Sequence, residues 1–314
     1  MKQKIHLWIE EYLFFPNFFQ KIISFLLLPL TLIYLIIIFS KRFKAKKIDF
    51  DIPIISIGNL IVGGSGKTPI TIELASKYEN ACVILRGYGR SSKGLQIVSL
   101  NGDIKVDVTV SGDEAMLLAK SLKKATIIVS ENRIEAILEA KELGSKIIFL
   151  DDGFSKYSIS KFDILLKPQN EPTNNFCLPS GGYRAPKSFY KKANIVLQEG
   201  KDFKRVITIK KDENIKELPA KTILLTAISK PKRLLEFLPK NIKMISFPDH
   251  HNFTKEEILD IQNEYKDYAI LTTGKDMVKL KEFNLENLYL MDLSIKIDEN
   301  VDFSSMNSYI NSFK

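Results

Sequence analysis

At 314 residues, 45% of them hydrophobic, the chain is long enough for two modest domains and too apolar to be generally disordered. Two cysteines, Cys82 and Cys177, exclude a disulfide framework, and no C-x-x-C spacing exists to hold a metal. The formal charge of +9 points to an anionic partner, although much of the excess is gathered in Lys41, Arg42, Lys44, Lys46 and Lys47.

The run from Ile22 to Phe39 carries no charged residue. As one helix it would be roughly 27 Å long, close to the thickness of a bilayer core. It is longer than the apolar region of a signal peptide, and the following "SKRFKAKK" is a poor cleavage site. Basic residues just beyond Phe39 place the rest of the chain on the cytoplasmic side. Phe14, Phe15, Phe18 and Phe19 suit the membrane interface, and Pro29 predicts a kink at mid-depth. Residues 1–47 therefore read as an N-terminal membrane-anchoring helix with a basic flank, either spanning the bilayer or dipping into it.

Beyond Lys47, short apolar runs alternate with helical patterns. "IPIISI", "CVILR", "TIIVS", "KIIFLD" and "DILLK" read as buried strands, with "KTPITIELASKY", "DEAMLLAKSLKK" and "ENRIEAILEAKEL" as the helices between them. Cys82 lies in one of these runs and reads as a core residue. The expected class is α/β: a P-loop NTPase-like, mostly parallel sheet with helices on both faces over residues 48–190. A Pro-, Asn- and Gly-rich stretch, "KPQNEPTNNFCLPSGGYRAPKS", reads as a long loop at a domain junction. A second, smaller α/β unit is expected over residues 191–314, opening with "ANIVLQ".

Between the first strand and the first helix lies "GNLIVGGSGKTP". Strand, Gly-rich loop and helix is the context in which Gly-Lys-Thr means phosphate binding. Gly63, Gly64, Ser65 and Gly66 form the wrap. Lys67 would reach the β- and γ-phosphates, and the Thr68 hydroxyl would meet Mg²⁺. The usual first glycine is absent, because Ile61 stands at its position. The acids that hold the metal in such a site come at the end of a neighbouring strand, and "KIIFLDDGF" offers Asp151 and Asp152. "SGDEAMLLA" places Asp113 and Glu114 at a helix start, where dipole compensation is an equally good account of them. The three histidines include the pair His250 and His251, which follow Asp249 in "FPDHHNFT". An Asp-His pair after a strand suits proton transfer. Just after it, Thr254 and Glu257 form a capping-box pattern.

Taken in order, "GNLIVGGSGKTP", "RGYGR", "SGDE", "DDGF", "LPSGGYRAP", "FPDHHNFT" and "TTGKDMVKL" resemble the tetraacyldisaccharide 4'-kinase family of lipid A biosynthesis, from the N-terminal apolar segment to about Leu280. The family's loop lacks the first glycine in the same way. The resemblance implies transfer of the γ-phosphate of ATP, with Mg²⁺, to the 4'-hydroxyl of an acylated disaccharide 1-phosphate. It implies a location on the cytoplasmic face of the bacterial inner membrane, with anionic lipids as neighbours and nucleic acid not among the partners. Carried over, Lys67 and Thr68 hold phosphate and Mg²⁺, Asp151 and Asp152 form the acidic metal motif, and Glu114 joins them. Asp113 is the general base, paired with His250. Arg133 and Arg184 match basic positions near substrate or phosphates. With Asp113 in the first α/β unit and His250 in the second, closure of the two units is expected to bring the pair together. Three departures stand out: Ser155 and Lys156 where the family has Gln-His, Ala185 where it has Glu, and Gly274 where it has Glu.

Two other classes fit parts of the pattern. A membrane-tethered P-loop ATPase acting as a switch would also carry such a loop. A binding module would use the basic cluster on anionic lipid without turnover. A GTPase is disfavoured because no N-K-x-D or T-K-x-D motif occurs.

Overall fold

A computed structural model describes residues 2–313 except 64, 65, 229, 230 and 250, with side chains from residue 8 onward. The N-terminal segment forms three helices: α1 (Lys2–Phe14), α2 (Phe18–Leu26) and α3 (Leu28–Lys44). Asn17 and Gln20 close a capping box at the start of α2. Pro29 lies in the first turn of α3, where its missing N–H costs nothing. The apolar run expected to be one helix is thus broken at Leu27, and α2 and α3 are bent by 56°. Among the described residues no single helix is long and apolar enough to cross a membrane; the bent pair meets the test by length and composition only.

The elements that follow, in chain order, are β1 (Ile54–Asn59), α4 (Lys67–Ala75), β2 (Ala81–Leu85), β3 (Gln96–Leu100), β4 (Asp103–Ile104), α5 (Val108–Ser111), α6 (Asp113–Ser121), β5 (Thr126–Val129), α7 (Arg133–Glu142), β6 (Ile147–Asp151), β7 (Phe162–Lys167) and β8 (Ile195–Gln198). Then come β9 (Phe203–Lys211), β10 (Asn214–Ile215), β11 (Thr222–Thr226), β12 (Lys243–Ser246), α8 (Lys255–Glu264), β13 (Ala269–Thr273), α9 (Gly274–Leu280), β14 (Leu288–Ile297) and α10 (Ser304–Asn311). The class is α/β, with mixed, mostly parallel sheets.

The chain forms two compact units. The first consists of Met1–Lys67, Ile137–Lys204 and Ile297–Lys314. Its strands lie in the order β6-β1-β7-β8, all parallel. Every residue of β1 and β6 is buried, as expected where helices and loops cover both faces of a parallel sheet. The register pairs Ile57 with Asp151, so the C-terminal ends of β1 and β6 share one edge. Ile195–Gln198 joins this sheet beside β7 instead of opening a second unit. A buried cluster of Phe14, Leu60, Ile61, Phe154, Tyr183 and Phe189 is overlaid by Leu13, Tyr34, Leu35 and Ile38, so α1 and α3 belong to this core. Polar side chains on the inner face of the N-terminal helices meet the Pro-rich loop. Thr31 Oγ1 donates to Ser180 Oγ at 2.7 Å, and Tyr12 Oη donates to the carbonyl of Pro179 at 2.8 Å.

The second unit consists of Thr68–Ala136 and Arg205–Lys296. One set of its strands runs β4-β3-β5-β2, with β2 and β5 parallel and β3 antiparallel to β5. A six-stranded sheet runs β10-β9-β14-β13-β11-β12; its four strands from β14 to β12 are parallel. Helices α6 and α9 pack together. The helix that begins at Asp113 therefore shares a unit with the loop that carries Asp249, contrary to the sequence expectation that they belong to separate units.

Candidate functional site

In the first unit the candidate site grows from the ends of β1 and β6. After β1 the chain does not turn at once. Ile61 forms an antiparallel bridge with Tyr183, and the N–H of Val62 donates to the carbonyl of Gly182 at 2.9 Å. Ile61 is buried in the core cluster, so the position where a glycine was expected holds a packing residue. The tight turning falls to Gly63 and Gly66, at φ of 90° and 83°, values that an L side chain rarely adopts. Gly64 and Ser65 lie outside the described residues.

Lys67 opens α4, and Thr68 follows it in the first turn. Lys67 Nζ lies 3.3 Å from Asn59 Oδ1 and 3.9 Å from Asp152 Oδ1. Asn59 is itself fixed, donating through Nδ2 to the carbonyl of Ile61 at 2.7 Å. Asp151 ends β6 and is buried. Asp152 follows with φ 56°, a left-handed conformation that Asp tolerates better than most residues. Its two carboxylate oxygens each accept a 3.1 Å hydrogen bond from Arg184, a bidentate pair. Arg184 Nη1 also reaches Asn59 Oδ1 at 3.3 Å. The backbone of Arg184 is held at both ends: its N–H donates to the carbonyl of Leu60 at 2.7 Å, and its carbonyl accepts from Tyr34 Oη at 2.8 Å. Two cations thus converge on one acid at the end of the phosphate-type loop. Asn59 and Tyr34 were not singled out from the sequence. An Asn ending a strand and a Tyr in an apolar helix are each too common to carry a signal.

In the second unit a separate set of charges gathers at the start of α6. Gly112, with φ 82°, is the residue before it; a Cβ there would lie 3.0 Å from the carbonyl oxygen of Tyr88. Asp113 is buried, and its Oδ1 accepts from the N–H of Glu114 at 3.0 Å. Lys275 Nζ lies 3.8 Å from Asp113 Oδ2, 3.4 Å from Glu114 Oε1 and 3.3 Å from Asp249 Oδ1. Burial opposes its charge, but Glu114, Asp113 and Asp249 outweigh burial and hold the Lys275 ammonium above the usual lysine range. Lys279 Nζ lies 3.3 Å from Asp113 Oδ2 and donates to the carbonyl of His251 at 2.9 Å.

His250 lies outside the described residues. Its neighbour His251 has a visible structural task. Its ring stacks on Phe247 with centroids 4.7 Å apart, and Nε2 is 2.9 Å from Glu257 in the capping box of α8. The His251 ring beside it and the N–H of Thr254 hold the Glu257 carboxyl below the usual range. Arg133, expected near phosphates, is buried at the start of α7, with Nη1 donating to the carbonyl of Ser130. Gly274 opens α9, where a Cβ would lie 3.1 Å from Leu117.

Asp151 and Asp152, at the end of β6 in the first unit, offer hard oxygen donors of the kind Mg²⁺ takes; Thr68 and Glu114 are oxygen donors of the second unit. The carboxylates of Asp151 and Asp152 have the chemistry of a hard-cation donor pair. Among the described residues no three His, Cys, Asp or Glu side chains are grouped to hold a metal.

A family model described as LpxK, tetraacyldisaccharide-1-P 4'-kinase, matches residues 23–310. The tetraacyldisaccharide 4'-kinase of Aliarcobacter butzleri (strain RM4018) is 98% identical over 314 residues, 100% of both chains. The Helicobacter pylori (strain ATCC 700392 / 26695) kinase of the same name is 46% identical over 292 residues, 92% of this chain and 91% of that one. Among solved structures, a 2.2 Å crystal structure of the "apo" form of LpxK from Aquifex aeolicus in complex with ATP is similar at TM-score 0.72 and 29% identity. The similarity covers 93% of this chain and 99% of that one. With a family model matching most of its length and a near-identical relative matching all of it, the chain belongs to the tetraacyldisaccharide 4'-kinase (LpxK) family.

Proposed function

We propose that the protein transfers the γ-phosphate of ATP to the 4'-hydroxyl of a tetraacyldisaccharide 1-phosphate in lipid A biosynthesis, at the cytoplasmic face of the bacterial inner membrane. The observation that carries this reading is the group formed by Lys67, Asn59, Asp152 and Arg184 at the shared end of β1 and β6, directly after a Gly-rich loop. In the reaction the acceptor oxygen bonds to the γ-phosphorus as its bond to the β,γ-bridging oxygen breaks, and ADP leaves. The backbone N–H groups from Gly63 to Thr68 and the start of α4 receive the phosphates, and Lys67 follows the charge moved during transfer. Arg184, which pairs with Asp152, and Arg133 supply cationic groups for phosphate. Mg²⁺ bound with ATP would be held by Thr68, Asp151, Asp152 and Glu114, and when bound it neutralises charge on the phosphate oxygens. Asp113, with His250, takes the proton of the acceptor hydroxyl, a weak acid that gains from a positioned base. The apolar outer faces of α2 and α3 and the basic flank at 41–47 are the membrane-facing part, which brings the kinase to a lipid substrate.

The test is incubation with labelled ATP, Mg²⁺ and a tetraacyl disaccharide 1-phosphate, with the lipid analysed by mass. The expected result is a lipid heavier by one phosphate that carries the label. ATP hydrolysis with no labelled lipid would overturn the reading in favour of a membrane-tethered ATPase switch.

A further inference from the structure

The loop that ends in Arg184 is bonded on one side to the N-terminal helices and on the other to the lead-in of the Gly-rich loop. On the helix side, Thr31 and Tyr34 stand three residues apart and share one face of α3. Thr31 Oγ1 donates to Ser180 Oγ and accepts from the N–H of Ser180 at 3.1 Å, while Tyr34 Oη donates to the Arg184 carbonyl at 2.8 Å. The end of α1 joins in. The N–H of Gly182 donates to the carbonyl of Leu13 at 3.0 Å and that of Thr173 to the carbonyl of Phe14 at 2.9 Å, using carbonyls that a helix C-terminus leaves open. The approach is close, since a Cβ on Gly182 would lie 2.8 Å from Phe14 Cε1. On the other side the N–H of Arg184 donates to the carbonyl of Leu60 at 2.7 Å, and the N–H of Val62 to that of Gly182 at 2.9 Å.

We infer that Tyr34 is a positioning residue for phosphoryl transfer: its hydroxyl, fastened to the Arg184 carbonyl, holds Arg184 where the guanidinium can meet phosphate. The inference rests on the reading of Arg184 as a phosphate-binding cation. The guanidinium spends Nη1 on Asn59 and both Nη1 and Nη2 on Asp152, so these contacts must change when it turns to a phosphate. The backbone contacts need not change. An arginine side chain is long and flexible, and where its head can go is set by where its backbone is held. Leu60 holds the amide side of Arg184 and Tyr34 the carbonyl side; two residues on, Pro186 has no N–H to add a further backbone bond. The Tyr34 ring packs against the cluster that contains Leu60, Ile61 and Tyr183, a task a phenylalanine would do as well. What the hydroxyl adds is the bond to Arg184. Ile33, Ile36 and Ile37 on the same helix are exposed, so the helix proposed to face lipid also forms part of the phosphate site.

The experiment measures kcat/KM for ATP in the full-length kinase, with a tetraacyl disaccharide 1-phosphate as acceptor, for wild type, Tyr34→Phe, Arg184→Ala, the double variant and Thr31→Val. Tyr34→Phe should lower kcat/KM about fivefold, the usual effect of losing one hydrogen bond. On the Arg184→Ala background the same change should alter kcat/KM by less than about twofold, because the group that Tyr34 places is gone. Thr31→Val loosens the loop at Ser180 and not at Arg184, so it should lower the melting temperature and leave kcat/KM near wild type. A Tyr34 hydroxyl with only a structural role would behave as Thr31 does. An unchanged kcat/KM in folded Tyr34→Phe therefore overturns the inference. So does a fivefold loss that persists on the Arg184→Ala background, or an equal loss in Thr31→Val. If Tyr34→Phe fails to fold, Tyr34→Met, which also lacks the hydroxyl, is read in the same way. Arg184→Ala separates the two levels. If it keeps wild-type kcat/KM, the reading of Arg184 as a phosphate-binding cation fails first. If it is impaired while Tyr34→Phe is not, only the positioning role fails.

Discussion

Ile61 stands where a phosphate-binding loop ordinarily begins with glycine, and its surroundings say why a side chain is tolerated there. It is bridged to Tyr183 and packed beside Leu60 and Phe154, and Val62 still bonds Gly182, so the chain stays paired for two residues before the glycines turn it. The turning and the lysine are what phosphate binding needs, and both were legible in the sequence. The partners of Lys67 were not, because Asn59 and Asp152 reach it from separated segments and Arg184 joins the group only through those two side chains. The first prediction concerns Lys67 itself. Lys67→Ala should lower kcat about 100- to 1000-fold, the range found when one preorganised stabilising group is removed. Its melting temperature should stay close to wild type, since the lysine contacts Asn59 and Asp152 at 3.3 Å and 3.9 Å without filling a core. Near-normal turnover by a folded Lys67→Ala protein would end the P-loop reading. A second prediction uses Cys177, whose thiol burial pushes up to about 11. At pH 8 only about one thiol in a thousand would be thiolate, the reactive form. Iodoacetamide should leave Cys177 and the fully buried Cys82 unmodified in the native protein and alkylate both in urea, as peptide masses would show. Rapid native labelling of Cys177 would mean that its surroundings open.

The helices α1 to α3 show what an apolar run can and cannot tell. Composition alone reads Ile22 to Phe39 as an anchor, and a uniform run of Leu, Ile and Phe gives little hint of which side meets protein. The inner side is marked by polar groups: Gln20, Ser24 and Thr31 are buried, and Tyr34, three residues after Thr31 on α3, bonds the backbone of Arg184. The segment is therefore part of the first unit's core, and its outer side is the surface proposed to face the membrane. The strand Ile195–Gln198 carries the same lesson, since its pattern announces a strand and leaves its partner open. The third prediction separates the two faces of the N-terminal segment. Phe14 is 5% exposed and lies in the core cluster, whereas Phe19 is 76% exposed. Phe14→Ala should cost about 3–5 kcal/mol in denaturant unfolding measured in detergent, the usual cost of deleting a buried Phe. Phe19→Ala should change it by less than about 0.5 kcal/mol. Deletion of the segment should uncover Leu60, Ile61 and Tyr183 and yield an aggregated chain. A soluble, nucleotide-binding protein lacking residues 1–44 would show that the segment is a dispensable anchor and that the core assignment is wrong.

Across the whole molecule, charge and exposed apolar surface are both concentrated near the N-terminus, and the two should bind a membrane in different ways. Phe18, Phe19 and Leu26 are 73%, 76% and 73% exposed on α2, more apolar surface than an isolated soluble protein gains from leaving bare. Just beyond, Lys41 and Lys44 line an open groove with Ser155 and Lys156, and Lys46 and Lys47 follow on the exposed chain. Arg42 belongs to the protein side, lying 5.1 Å and 4.9 Å from the rings of Tyr157 and Phe189. The net charge could be counted from the sequence, but not the separation of Arg42 from its neighbours, which depends on two rings more than a hundred residues away. Attraction to an anionic leaflet contributes about 1 kcal/mol per basic residue near the surface and is screened by salt. Apolar insertion is not screened in this way. In sedimentation with vesicles of mixed neutral and anionic phospholipid, replacing Lys41, Lys44 and Lys46 by Ser should therefore weaken binding roughly 100-fold at low salt, and much less at high salt. Replacing Phe18, Phe19 and Leu26 by Ser should weaken binding at every salt concentration. Arg42→Ala should lower the melting temperature while changing vesicle binding less than the lysine triple does. If the lysine variant binds as wild type at low salt, the basic flank does not face lipid. If the Phe18, Phe19 and Leu26 variant still sediments at high salt, the membrane-facing surface lies elsewhere on the protein.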